Sequence, residues 1–169
     1  MSNREMVRLL DELDEERKRL GYSQDLLTPG FLKEVIIGGH LAHYVHREKH
    51  GPDAYPDKSQ EQAYLKSNNR KLGQGYVGYE YLSCKEGGSF QLDRIHEGNL
   101  YRITRNDAFF FALFSKKNSL QAVKIYRVKT DVVLAEAKRK IANMKESSKH
   151  IGFGQKWTKE HGKLIWEQS

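Results

Sequence analysis

The chain has 169 residues, 29 Lys and Arg against 22 Asp and Glu, and a formal charge of +7. That length fits one domain, and seven Phe, nine Tyr and two Trp supply the large apolar pieces of a folded core, which excludes a disordered chain. No apolar run approaches the roughly 18 residues a membrane span needs. The N-terminus lacks the apolar stretch of a secretory signal, and a single cysteine, Cys84, excludes an intrachain disulfide and a zinc ribbon. The expectation is a soluble protein of the cytoplasm, intracellular and of bacterial type, with no membrane association.

Residues 3–20 predict a helix. Met6, Leu9, Leu10, Leu13 and Leu20 recur at helical spacing and Gly21 is a fitting stop. Residues 31–49 predict a second helix, with Leu32, Val35, Ile36, Leu41 and Val45 for its buried face and His50-Gly51-Pro52 ending it. The pair Gly38-Gly39 weakens that helix by about 1 kcal/mol per glycine but permits close approach of another backbone. A short strand is expected near 63–66, and a strong one at 76–84, YVGYEYLSC, from its aromatic and β-branched density. Residues 90–95 are expected to continue the same sheet, and 100–107 to form a short helix.

Residues 108–115, AFFFALFS, are apolar almost throughout and read as a central strand covered on both faces. Residues 120–129 alternate as its partner. Thr130-Asp131 can cap a helix running to about Met144, and 150–157 and 163–167 are the last strand candidates. The resulting fold class is α/β (α+β), a central mixed β-sheet flanked by helices in a single domain spanning 1–169.

Charge is unevenly placed. Residues 1–29 carry a net −2 and the rest of the chain +9, so the basic excess belongs to the body of the domain. Such an excess suits a polyanionic partner, because Lys and Arg that neutralise phosphates release condensed counterions. Cleaving a nucleic acid with divalent metal needs carboxylates on neighbouring elements to hold the ion at the scissile phosphate. A lysine beside them can stabilise the developing charge. Asp53 follows Gly51-Pro52 where the chain enters the sheet, Glu80 lies in the middle of the best strand, Lys85 lies at that strand's end, and Glu34 sits on the preceding helix.

Helix with glutamate, then "GPDA", then "YEYLSCKEGG", then the paired strands "AFFFALFS" and "LQAVKIYRV", resembles the PD-(D/E)XK nuclease superfamily, and within it the small type II restriction endonucleases. Residues 31–128 carry the resemblance. It implies a Mg²⁺-dependent (or Mn²⁺-dependent) endonuclease that hydrolyses double-stranded DNA at a specific site. Asp53 and Glu80 would be the metal ligands, with Lys85 the preferred lysine near the attacking water and Glu34 in support. It also implies a homodimer on a palindrome, for which residues 1–21 are the candidate dimerisation element. The family's strand lysine stands two residues after the glutamate, and here that position is Leu82. Lys85 could reach the site through a bulge, Lys66 could come from a neighbouring element, or Ser83-Cys84-Lys85 could itself be the strand motif with Glu97 as its later glutamate.

For DNA contacts, Asn68, Asn69, Arg70 and Lys71 form a polar, basic loop. Ser89, Gln91 and Arg94 follow the candidate active strand, and Arg102, Arg105, Lys116 and Lys117 suit phosphates. Taken singly, each is also an ordinary surface side chain, Asp53 beside Pro52 is an ordinary turn former, and Lys85-Glu86-Gly87-Gly88 is an ordinary polar turn. The alternatives from other classes are a non-catalytic DNA-binding protein on the same fold, to which Leu82 points, and a structure-specific repair or phage nuclease. His43, His46 and His50 would share a helix face if the second helix continued, which would give a transition-metal cluster. Cys84 on a strand reads as a small buried apolar residue rather than a nucleophile.

Overall fold

The computed structural model describes residues 2–48, 50–67, 75–144 and 149–169. Helix α1 (Asn3–Arg19) is followed by α2 (Phe31–Leu41), the two-residue strands β1 (Tyr44–Val45) and β2 (Ala54–Tyr55), and α3 (Lys58–Ser67). Next come β3 (Tyr79–Lys85), β4 (Phe90–Ile95), a 3₁₀ turn at Glu97–Asn99, α4 (Tyr101–Thr104), β5 (Ala108–Phe114) and β6 (Ala122–Lys129). The chain closes with α5 (Thr130–Ala142), β7 (Lys149–Phe153), α6 (Gln155–His161) and β8 (Lys163–Glu167). The class is mixed α and β, as the sequence predicts.

Six strands form the main sheet in the order β1-β2-β3-β5-β6-β8. All neighbours are antiparallel except β3 and β5, which run parallel. A parallel pair needs a crossover, and here β4 and α4 lie in it. Every residue of β5 is buried, as its unbroken apolar sequence requires of a strand packed on both faces. On one face Leu82, Cys84, Phe109 and Phe111 meet Ile103, Val133 and Ala137 from the α4 and α5 side, with Phe90 and Phe153. On the other, Ile37 of α2 packs on Tyr81, Phe110 and Ile125. The carboxylates described below sit where these two layers meet the short strands β1 and β2.

Several elements depart from expectation. The second helix stops at Leu41, because Ala42 takes the left-handed conformation at φ 55° and donates to Gly38 O. Val45 then folds back on the helix so closely that a Cβ on Gly38 would lie 2.2 Å from its Cγ2. Gly38 thus provides the close approach the glycine pair suggests, while Gly39 faces open space. Residues 63–66 belong to α3 and not to a strand. Strand β4 leaves the main sheet and pairs only with β7. The 150–157 segment divides, and its second half is α6, whose Trp157 packs against Phe153 with ring centroids 5.0 Å apart. Thr130 does not cap α5 but turns its hydroxyl to Asn106 O at 2.9 Å.

Helix α1 forms as its periodicity demands, yet buries nothing. Its apolar stripe faces outward, with Met6 53% and Leu10 55% exposed. Its C-terminal end is tied down instead by Arg17, which pairs with Asp14 and donates to Tyr22 O and Gln24 O. No helix among the described residues is long and apolar enough to cross a membrane.

Candidate active site

Asp53 is fixed by the ladder it borders. Its N–H donates to Tyr79 O at 2.8 Å, its C=O accepts from His46 N at 2.8 Å, and its Oδ2 accepts from Tyr81 N at 2.7 Å. Strand β2 is so short that only Ala54 pairs with β3, opposite Tyr79, so a side chain satisfies the next β3 donor. This is how a turn-forming Pro-Asp comes to hold a half-buried carboxylate against β3, beside the short strands at the sheet edge.

Glu80 is the second residue of β3. Its Oε2 accepts from the amide of Asn106, a fully buried residue, at 3.3 Å. Glu34 comes from the opposite layer, in the first turn of α2. Its Oε1 folds back over Gly30, where an added Cβ would stand 3.6 Å away. The three carboxylates share one neighbourhood. Burial pushes the Glu34 carboxyl up to about 9, with Asp53 and Glu80 adding repulsion. Burial pushes Glu80 up to about 8, and the charge of Asp53 adds to it. Asp53 rises to about 6, again through burial, opposed by the Tyr81 N–H bond and by Arg105. Three neighbouring carboxyls held above their ordinary range by burial mark a candidate functional site.

A cleft of about 330 Å³ opens on Glu34 and Asp53, with Gln24, Thr28, Glu48 and His50 around it. Below it lies a neutral dyad. His43 Nδ1 and Tyr81 OH are 2.7 Å apart, and burial, with Arg127 nearby, lowers His43 to about 4. Burial, followed by the charges of Asp53 and Glu34, pushes the Tyr81 phenol up.

Glu34, Asp53 and Glu80, from three separate stretches of chain, are thus close enough to act on one another electrostatically, and the first two line the cleft. The structure does not bring Lys85 to them. The β3–β5 register runs without a break from Tyr79 opposite Ala108 to Lys85 opposite Phe114, so no bulge turns Lys85 to the Glu80 side. Residues five apart on an unbroken strand face opposite ways and lie about 16 Å apart at 3.3 Å per residue. Lys85 is exposed, and its C=O accepts from Gly88 N and from the Gln155 amide. Leu82, where the resemblance expects lysine, is only 7% exposed and packed in the apolar cluster with Phe109 and Phe111. Lys66 is exposed on α3, and Glu97 is exposed in the 3₁₀ turn.

The histidines share no helix face. His43 bonds Tyr81, while His46 is buried and meets Glu61 Oε2 at 2.9 Å, Tyr55 OH at 3.1 Å and His50 O at 2.8 Å. Cys84 is buried, and burial pushes its thiol up to about 11, which suits a packing residue. Of the candidate DNA contacts, Asn68, Asn69, Arg70 and Lys71 lie outside the described residues. Ser89, Gln91 and Arg94 are exposed on or beside β4, and Lys116 and Lys117 on the β5–β6 turn. Arg102 donates to Asp93 O and Arg94 O. Arg105 is half-buried beside the carboxylates rather than spread on the surface.

The sequence reading missed the part played by Asn106, whose position between a short helix and an apolar strand carries no motif. Among the described residues, no three His, Cys, Asp or Glu side chains form a ready-made metal cage. The donor set nonetheless suits a hard cation, since Mg²⁺ is commonly held by one or two carboxylates together with water and phosphate oxygens. Neither protein-family models nor curated proteins give a match to this chain.

Proposed function

We propose that the protein is a Mg²⁺- or Mn²⁺-dependent endodeoxyribonuclease of the PD-(D/E)XK kind, acting as a type II restriction endonuclease on double-stranded DNA. The closeness of Glu34, Asp53 and Glu80, the first two lining one cleft, carries this reading. The basic body of the chain, with its +9 outside residues 1–29, supports an anionic polymer as substrate.

In this reading Asp53 and Glu80 hold the ion. A bound Mg²⁺ would supply charge neutralisation at the scissile phosphate and a more acidic water. Asp53 is kept in place by the Tyr81 N–H and Glu80 by the Asn106 amide, so both carboxylates are preset. Glu34, whose carboxyl titrates above neutrality, is placed to exchange a proton with water in the cleft. Cutting both strands needs two such sites, and the exposed apolar stripe of α1 is the surface on which two copies would meet.

Incubation with phage genomic DNA and Mg²⁺, beside an EDTA control, tests the proposal. Discrete bands only with Mg²⁺, lost in Asp53→Asn, are expected, and the sequenced ends would give the site. Cleavage by Asp53→Asn at the normal rate would refute it. A second reading, a non-catalytic DNA-binding protein on the same fold, draws on the buried Leu82. Retarded but uncut DNA would favour it.

A further inference from the structure

No strand lysine reaches the carboxylates, but Arg105 lies close enough to act on Asp53 and Glu80. Arg105 follows α4, on the turn that leads into β5. Its backbone is clamped, with N–H on Tyr101 O at 2.9 Å and C=O accepting from Tyr76 OH at 3.1 Å. Its Nη2 donates to Gly51 O at 3.2 Å, two residues before Asp53. The next residue, Asn106, holds Glu80. The guanidinium is thus tied to the Asp53 loop, and its backbone to the residue that positions Glu80. Its Nε is buried without a partner, and so is Oδ1 of Asn106. A buried donor without a partner is costly and calls for an explanation.

We propose that Arg105 binds the scissile phosphate of the DNA beside Asp53 and Glu80, and so supplies from the α4–β5 turn the positive charge that β3 lacks at Leu82. The proposal rests on the nuclease reading above. A guanidinium suits the task because its planar fork offers several donors to one phosphate. Arg105 also acts electrostatically on both carboxylates, lowering Asp53 and Glu80 against the effect of burial. Lys85, at the far end of β3, is then dispensable for cleavage.

The test uses Arg105→Gln, with Arg105→Met as a second neutral variant. Both keep the backbone bonds to Tyr101 and Tyr76, and thermal melting verifies the fold. Binding is measured in Ca²⁺ against salt, with a short duplex carrying the site read from the cut ends. A matched duplex has a neutral methylphosphonate at the scissile position. One lost phosphate contact should lower the log–log salt slope of Arg105→Gln by about 0.9. The methylphosphonate should weaken wild-type binding at least fivefold more than it weakens Arg105→Gln, in which only the Ca²⁺ contact to that phosphate is left to lose. Cleavage by Arg105→Gln should fall at least a hundredfold, and Arg105→Lys should restore the slope.

A merely structural arginine would leave the methylphosphonate penalty at its full wild-type size in Arg105→Gln. That penalty, or normal cutting by both neutral variants while Asp53→Asn is inactive, would overturn the role of Arg105 and leave the nuclease reading standing. Normal cutting by Asp53→Asn would overturn both.

Discussion

Burial of the carboxylates makes the metal-free protein pay for alkaline pH, and Glu80→Gln isolates the effect. Glu80 and Glu34 titrate near 8 and 9 in the folded chain, against an ordinary 4.5. Between those limits the folded state holds protons that the unfolded state has released, so stability falls as pH rises. Below 6.5 the signal is mixed, because His43, lowered to about 4, contributes stability that is lost as pH falls. Above 6.5 the unfolded imidazole still releases about half a proton, an opposing effect of only about 0.4 kcal/mol, and the carboxyls dominate. Each retained proton over pH 6.5 to 8 corresponds to about 2 kcal/mol, at 1.4 kcal/mol per pH unit, so the two carboxyls together lower stability by about 3–4 kcal/mol. For a chain of this size that is a fall in Tm of about 6–16 °C.

Glu80→Gln removes one of the two titrating groups and the smallest of the causes that raise Glu34, so its stability should fall about half as steeply over the same window. The assay is urea or thermal unfolding in EDTA at pH 6.5, 7.25 and 8. Mg²⁺ or Mn²⁺ should then stabilise the wild type most at pH 8, by about 2.7 kcal/mol at a hundred times Kd, and Glu80→Gln much less. A wild-type protein whose metal-free stability is flat or rises from pH 6.5 to 8 would refute the reasoning. An unchanged slope in Glu80→Gln would do the same.

Two further outcomes concern the scaffold. Leu82→Ala should cost about 2–5 kcal/mol in urea unfolding, because it opens a hole beside Phe109 and Phe111; a loss under 1 kcal/mol would mean Leu82 is not core. Gly38→Ala should cost about 1–3 kcal/mol through overpacking on Val45, and melting reads it directly.

What could be read from the sequence follows from which interactions are local. The fully buried β5 was legible because seven consecutive apolar residues suit only a strand covered on both sides. Strand β8 was legible in a turn-bounded segment that the structure matches end to end. The end of α2 was not, because residues 42–49 keep an apolar-polar pattern compatible with helix. The break comes from the left-handed Ala42 and from Val45 folding onto Gly38, a contact that exists only in three dimensions. The division of β4 from the main sheet is likewise tertiary, since Phe90 and Leu92 bury as well against β7 as they would against β3. At the site, Glu34, Asp53 and Glu80 were named from residue type and order. Asn106 and the placement of Arg105 escaped because a four-residue helix followed by a turn carries no periodicity.

Asp53 combines a chemical and a structural role, and two substitutions separate them. Its Oδ2 accepts the Tyr81 N–H inside the sheet edge. Asparagine keeps that acceptor and removes the charge whose burial is unfavourable, so Asp53→Asn should be at least as stable as the wild type near pH 8. It should nonetheless lose cleavage, because a neutral amide is a poor ligand for a hard cation. Alanine leaves the Tyr81 N–H without a partner, at a cost of about 1–3 kcal/mol. Removing the charge offsets part of this, so Asp53→Ala should melt below Asp53→Asn at every pH. Comparing the two variants directly cancels the charge effect they share. Equal melting temperatures would show that the Tyr81 N–H is satisfied by other means and that the carboxylate does not anchor the sheet edge. Cleavage retained in both would remove Asp53 from the chemistry altogether.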